Sequence, residues 1–424
     1  NGNYEVGVHI ADVSYYVERG TTIDQEAYER GTSVYLVDRV IPMLPEKLSN
    51  KVCSLRPHED KLTYSCIMEV SPRGAVKGYQ IRETVIHSKQ RLTYDDAQNM
   101  IQGGYPDNPV ASDVVTAARL GRMLTKKRMR QGSVDFDLPE IRVILDEDGN
   151  PKEIVRKERM EANRLIEEFM LLANRTVAKH ITAQKNAKPF VYRIHDKPDG
   201  DRIRQLAEYV KAFGYNLKLT DGNATSTDLN NFLSHIKATP EAFVIENAAL
   251  RSMSKAVYST ENIGHYGLGF KYYSHFTSPI RRYPDLMAHR LLKRYATGGS
   301  AANEEQLKAA CDHCSERERV AVEAERESVK LKQVEYIRQH LGEQFSGVVT
   351  GVTKFGIFVE LSDVLVEGMV HVRDLDDDYY VYDERTYSLV GDYTGKSYRP
   401  GDRVDVVVAG ANPETRKIDL TLVD

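Results

Sequence analysis

The pattern of this chain breaks at Gly342, and that break constrains the fold more than any other feature. Beyond it, residues 345–352, 355–361, 368–372, 403–408 and 417–422 read as five short strands in about eighty residues, with glycines at the bends. Five such strands in so short a span suit a small closed barrel of the OB type. Before the break, helical patterns dominate. Residues 112–131 read as a basic helix. Residues 155–181 read as a long amphipathic helix, with Leu165, Ile166, Phe169, Met170, Leu172, Ala173 and Val177 at helical spacing. Residues 201–215, 227–260 and 304–340 read as further helices. Residues 1–17 alternate towards strand through Tyr4, Val6, Val8 and Ile10, and residues 31–100 read as short strands and turns. The expected fold class is α+β, with a large domain over residues 1–338 and a five-stranded barrel over residues 342–424. The chain opens directly on a strand pattern, which reads as a cut through a domain.

At 41% hydrophobic residues the chain has the material for a sizeable core, and it contains no apolar run of membrane-spanning length and no signal-like start. Four cysteines in 424 residues do not form a disulfide framework, so a cytoplasmic, reducing compartment is expected. The net charge of -4 argues against coating nucleic acid through bulk charge, yet it permits a locally basic channel. The charge is indeed segregated. Residues 251–300 carry eight Lys or Arg against two acids, and residues 114–130 carry six basic residues and no acid.

The densest motif is residues 272–285, with two arginines and four aromatic rings. Ser278 reads as an N-cap and Pro279 as the first helical residue, which places Arg281 and Arg282 in the first turn. Two guanidinium groups at the positive end of a helix make a phosphate site, with nearby rings to stack on bases. An ordinary capped surface helix with solvated arginines accounts for the same pattern. Three other groups have two readings each. Cys311 and Cys314 have metal-like spacing but lack a second pair, and so read as helix-packing thiols. Glu167 and Glu168 suit a solvated helix edge, or a carboxylate pair for a metal or a hydroxyl proton. Asp374, Asp376, Asp377 and Asp378 lack the glycine and glutamate of a calcium loop and read as a solvated acidic loop. In the barrel, Phe355, Phe358 and His371 read as rings presented on one face to single-stranded nucleic acid, or in part as core.

Several longer motifs carry a resemblance. Residues 9–14 (His-Ile-Ala-Asp-Val-Ser), 41–45, 53–55, 192–198 (Tyr-Arg-Ile-His-Asp-Lys-Pro) and 277–285 resemble the RNB catalytic domain of the ribonuclease II and ribonuclease R family. Residues 345–349 through 368–372 resemble an S1 RNA-binding domain. Residues 375–380 are more similar to the ribonuclease R branch.

The resemblance implies a mixed sheet surrounded by helices, followed by the S1 barrel. It implies a processive 3′-to-5′ exoribonuclease that hydrolyses RNA to nucleoside 5′-monophosphates with water and a divalent metal, normally magnesium, through two ions. The implied partner is single-stranded RNA, or structured RNA with a 3′ overhang, bound by a monomer with no membrane. By motif, Arg281 is the catalytic arginine, Glu325 aligns with an active-site glutamate, and Arg282 lies beside them on the RNA. Tyr35 and Tyr94 match base-stacking tyrosines, Phe136 a stacking phenylalanine, and Glu167 a carboxylate near the ribose 2′-hydroxyl of the terminal nucleotide. The family's metal-binding aspartates are expected upstream of Asn1. Asp12 belongs to a different motif, so no metal ligand is expected within the chain. A catalytically silent RNA-binding relative is the alternative reading.

Overall fold

A computed structural model describes residues 2–136, 139–184, 188–239 and 241–423. Its central sheet is built on the strand Asp60–Val70, which pairs antiparallel with Tyr4–Ala11 on one side and Val76–His87 on the other. Successive side chains of a strand point to opposite faces. One face of Asp60–Val70 therefore carries Tyr64, Cys66, Met68 and Val70, all essentially inaccessible. The other carries Thr63 and Ser65, whose hydroxyls bond to Thr84 and His9. The apolar face packs against the helices Glu161–Thr182 and Tyr283–Ala296 through Leu172, Val177, Leu286 and Leu291, among others. The α+β organisation is as expected; the sheet, expected to be mixed, is antiparallel across its named strands.

Element types follow the sequence closely in the helices and less well between them. The basic helix is Ala111–Arg130. The helix expected over residues 155–181 starts only at Glu161, because Pro151–Lys157 is a strand paired with Glu140–Leu145. β-branched residues (Ile141, Val143, Ile144, Ile154, Val155) favour that ribbon, and Asp146 closes its turn by accepting the amides of Asp148 and Asn150. The helix expected over residues 227–260 is two helices, Ser226–Ile236 and Ala242–Ser252, followed by the strand Val257–Ser259, which pairs with Tyr192–Ile194.

The helix Glu304–Ile337 runs 34 residues and links the two halves of the molecule. Leu307, Cys311 and Cys314 near its start lie in the first core, while Val334 and Ile337 at its end lie in the core of the barrel. The barrel closes from Gln344–Thr353, Gly356–Leu361, Val366–His371, Lys417–Leu422 and Arg403–Asn412, in that spatial order. Its bend at Gly356 requires glycine, since φ is +148° and a Cβ there would meet the Val370 carbonyl oxygen at 2.0 Å. Between the third strand and the Arg403 strand a small sheet is inserted (Tyr380–Asp383, Ser388–Gly391, Ser397–Tyr398).

Candidate functional site

The motif at residues 272–285 forms a turn ahead of a helix, which corrects the expected helix start. The helix begins at Tyr283, with Arg282 as N-cap in extended conformation (φ −137°, ψ 122°). The amides of Arg281 and Arg282 both donate to the Ser278 carbonyl, at 3.2 and 3.0 Å, and Arg282 bridges to Thr32. That bridge holds Arg282 extended, so the arginines precede the first turn and are not part of it. Asp285 locks the turn. Its carboxylate, 0% exposed, accepts the Ser278 amide at 2.7 Å and the Arg282 guanidinium at 2.7 and 2.9 Å. Burial works against the Arg282 charge, but Asp285 and the Tyr258 ring more than offset it and raise its pKa. Arg282 is thus committed to Asp285, a correction to its expected place on RNA. Arg281 differs. It is exposed, and among the described residues its guanidinium makes no hydrogen bond or ion pair. The rings expected to stack on bases are core instead: Tyr273, Phe276 and Tyr283 are all buried, and Tyr272 packs against the cluster that holds Phe276 and Tyr283.

The strand carrying Tyr35 runs beside this turn. The Ser33 amide and the Thr32 hydroxyl donate to the Arg281 carbonyl at 2.9 and 3.0 Å, and the Tyr283 amide donates to the Gly31 carbonyl at 2.9 Å. The Tyr35 amide donates to Glu325 Oε1 at 3.0 Å. One strand thus contacts both the Arg281 backbone and the Glu325 side chain, with the Tyr35 ring 45% exposed. Glu325 serves there as a holder of the Tyr35 backbone.

Behind the turn lies a network with little local signal in the sequence. Arg193 pairs bidentately with Glu318 at 2.6 and 3.0 Å and lies 4.7 Å above the Tyr258 ring. The Tyr258 hydroxyl meets His275 Nδ1 at 2.9 Å. Burial, with Arg282 and Arg193 nearby, depresses the His275 pKa well below its ordinary value, so the ring is neutral. Arg193 stands inside the motif at residues 192–198, but Glu318 is one acid among many on a charge-dense helix, with no local signal.

A second group forms around Glu167. Its Oε2 accepts Arg159 at 2.6 Å, and Arg159 also reaches Asp135 at 3.6 Å. Glu168 is buried and paired with buried Arg128 at 2.8 Å, so the carboxylate pair is an ion-pair network and not a solvated edge. Phe136, next to Asp135, packs partly buried against the cluster formed by the helices of residues 200–252. Tyr94 opens the helix Tyr94–Ile101, which has a Thr93–Asp96 capping box, and its ring is 47% exposed. It lines a cavity of about 1280 Å³ with Arg91, Arg142, Lys157, Ile166 and Phe169. Glu167 does not line this cavity; one residue on from Ile166, its carboxylate turns to Arg159 and Arg128 instead.

The third group is the outer face of the barrel. Phe358 pairs with Met369 and Gly356 with His371 across neighbouring strands, so alternation puts Phe358, Met369 and His371 on one face while Ile357, Val359 and Val370 fill the core. Phe355 caps this face, 62% exposed, with the Lys354 ammonium 5.1 Å from its ring centre. His371 Nε2 stands 3.8 Å from Asp419.

The remaining candidates resolve differently. Cys311 and Cys314 are buried core thiols, and burial pushes the Cys311 pKa up to about 12. The acidic loop is ordered, not merely solvated. Asp378 accepts the Thr394 hydroxyl and the amides of Thr394, Tyr393 and Tyr379, which hold its carboxyl down at about 2, and Asp377 pairs with Lys396 at 2.8 Å. Asp12 pairs with Lys293 at 2.5 Å. Among the described residues, no group of three or more His, Cys, Asp or Glu is placed to hold a metal, and no helix is long and apolar enough to cross a membrane.

Comparison with known proteins identifies the family. Residues 1–298 match the RNB domain model and residues 338–422 the S1 RNA binding domain model. The chain is 44% identical to Ribonuclease R 1 of Lactococcus lactis subsp. lactis over 428 residues, covering 99% of this chain and 52% of that protein. It is 39% identical to Ribonuclease R of Escherichia coli K12 over 439 residues, covering 100% of this chain and 54% of the relative. The chain thus spans about half the length of these curated relatives. Its fold superposes with a TM-score of 0.92 on Mycoplasma genitalium RNase R in complex with ribose methylated single-stranded RNA, at 29% identity, covering 99% of this chain and 67% of that one. The same enzyme in complex with double-stranded RNA gives a TM-score of 0.87 at 27% identity, covering 99% and 70%. With the RNB model matched over residues 1–298 and an S1 RNA-binding domain behind it, the chain belongs to the RNB family of ribonuclease R-like proteins.

Proposed function

We propose that the protein bearing this chain is a processive 3′-to-5′ exoribonuclease that hydrolyses single-stranded RNA, or structured RNA with a 3′ overhang, to nucleoside 5′-monophosphates. The observation that carries this reading is Arg281: an exposed guanidinium, free of partners among the described residues, on a turn locked by buried Asp285 and laid against the Tyr35 strand. A cation fixed in this way is preorganised for charge that builds on a phosphate in the transition state, and a guanidinium fork suits phosphate geometry. Tyr35 and Tyr94 offer rings for base stacking, and Glu167 offers an acceptor for a 2′-hydroxyl, the group that separates RNA from DNA. The barrel face at Phe355, Phe358 and His371 holds RNA farther from its end. When bound, a divalent metal supplies water activation and Lewis acidity. Among the described residues no donor set for it is assembled.

The test is incubation of the full-length protein with magnesium and a 5′-labelled single-stranded RNA. Stepwise loss of nucleoside monophosphates from the 3′ end supports the reading. RNA that is bound but stays intact refutes it, and points to an RNA-binding relative that does not cut.

A further inference from the structure

Residues 31–37 form a strap between the Arg281 turn and the long helix. At its near end, Gly31 has a φ of +67° and lies so close to the helix that an added Cβ would meet Arg317 Cβ at 2.7 Å. Next come the hydrogen bonds from Thr32 and Ser33 to the Arg281 carbonyl. Farther along, the Tyr35 amide donates to Glu325 and the Val37 amide donates to Ser328 Oγ at 3.1 Å. Arg317, Ala321, Glu325 and Ser328 recur at three- and four-residue intervals and so share one stripe of the helix. That stripe rises about 17 Å from Arg317 to Ser328. Six residues of chain reach at most about 20 Å, so the strap is drawn nearly straight between its anchors.

Elsewhere the strap is held by Ser33, whose hydroxyl accepts the Met43 amide at 2.8 Å, and by the Leu36 amide, which donates to the Arg39 carbonyl at 2.9 Å. Its hairpin partner strand, Val40–Ile41, makes only two residue pairs with it, and Tyr35, Val40 and Ile41 are 45%, 50% and 43% exposed. A two-stranded ribbon of this size is marginal alone. Beyond buried Ser33, the ties of the strap to the rest of the domain are the side-chain acceptors of the long helix.

We propose that Ser328 is a positioning residue: by holding the Val37 amide it anchors the far end of the strap and so fixes where the Tyr35 ring meets the terminal nucleotides of the RNA. This rests on the proposed role of Tyr35. Ser328 touches no substrate and acts through the strap. Arg281 is buttressed at the other end by Thr32 and Ser33, so loss of the Ser328 anchor loosens substrate seating more than phosphate chemistry.

The experiment compares Ser328→Ala and Ser328→Thr with the parent in the full-length protein with magnesium. Hydrogen exchange across residues 34–41 and steady-state cleavage of a short oligoribonucleotide are both read. One lost hydrogen bond corresponds to about a five- to tenfold change, so Ser328→Ala is expected to speed exchange by that factor and to raise KM by about as much, with kcat within about twofold. Ser328→Thr keeps the acceptor and restores both values. Unchanged exchange and KM in Ser328→Ala overturn the proposal, as does a threonine variant no better than alanine. If the parent protein leaves RNA intact, the proposed function fails, while the exchange difference between the variants still decides whether Ser328 anchors the strap.

Discussion

The barrel face and the Arg281 site present rings and charges to the same proposed polymer, but they are assembled in opposite ways. On the barrel, Phe358, Met369 and His371 come together because neighbouring strands alternate, and Phe355 sits on the adjoining turn. At Arg281, the contacts join the chain near residue 32 to residue 281, residue 35 to residue 325, and residue 37 to residue 328. The first surface is periodic and local, so each side chain should act nearly alone. The second is a knot of long-range bonds around a buried ion pair, where one deletion disturbs several partners.

The strongest way to break this comparison is Asp285→Ala. It leaves Arg282 buried and unpaired and the Ser278 amide without an acceptor, a loss of about 3–5 kcal/mol of stability by urea unfolding. Asp419→Ala on the barrel, which removes a half-exposed neighbour of His371, should change stability by no more than about 0.5 kcal/mol. Similar costs for the two would erase the distinction. Next in size, Arg281→Ala is expected to lower kcat by about 10²–10³, with RNA affinity falling much less. Equal losses in rate and affinity would return Arg281 to ordinary phosphate binding. Phe355→Ala should weaken binding of single-stranded RNA by about 1–3 kcal/mol and leave kcat at saturation unchanged, as measured by titration and initial rates.

The finest contrast is in pH. His289, wholly buried in the first core, has its pKa lowered by burial to about 4. The unfolded chain takes up this proton below about pH 6.5 and the folded chain does not, so stability is lost from there down to about pH 4, at up to about 1.4 kcal/mol per pH unit. Glu360 on the barrel, outward-facing but part-buried beside Glu367 on the next strand, has its pKa raised to about 7 by that desolvation and by the neighbouring carboxylate, although Arg156 opposes the shift. Its contribution has the opposite sign: it favours the fold below about pH 4.5 and is lost as pH rises through about 7. Hydrogen exchange at pH 5 and pH 7 should therefore show the first core less protected and the barrel no less protected at the lower pH. Parallel losses in both would count against this assignment.

The same contrast explains what the sequence made legible. The barrel strands were visible because inward Ile357, Val359 and Leu361 alternate with outward Phe358 and Glu360, a pattern carried by adjacent residues. The long helices were visible through their apolar stripes. The start of the Arg281 helix was not, because Ser278-Pro279 is a good local cap, and only Thr32, nearly 250 residues earlier, holds Arg282 extended and delays the helix to Tyr283. Arg282 looked like a ligand for phosphate because its partner Asp285 is no more conspicuous in sequence than any exposed acid. The ribbon at residues 140–157 was missed because Ile154 and Val155 run directly into the helical pattern that follows. Ser328 and Glu318 carried no signal at all, since their roles exist only once a distant strand lies against the helix.

The helix Glu304–Ile337 has one more consequence. Cys314 sits in the first core and Val334 in the second, twenty residues or about 30 Å along the same rod. Between them the rod holds the strap on one side through Glu325 and Ser328, and the barrel on the other through Lys330, which bonds the Glu367 carbonyl, and Gln333, which bonds the Leu365 carbonyl. Ser328 and Lys330 are about half a helical turn apart. The helix runs unbroken through both grips, so a displacement of the barrel carries the anchor of the strap with it as one rigid piece.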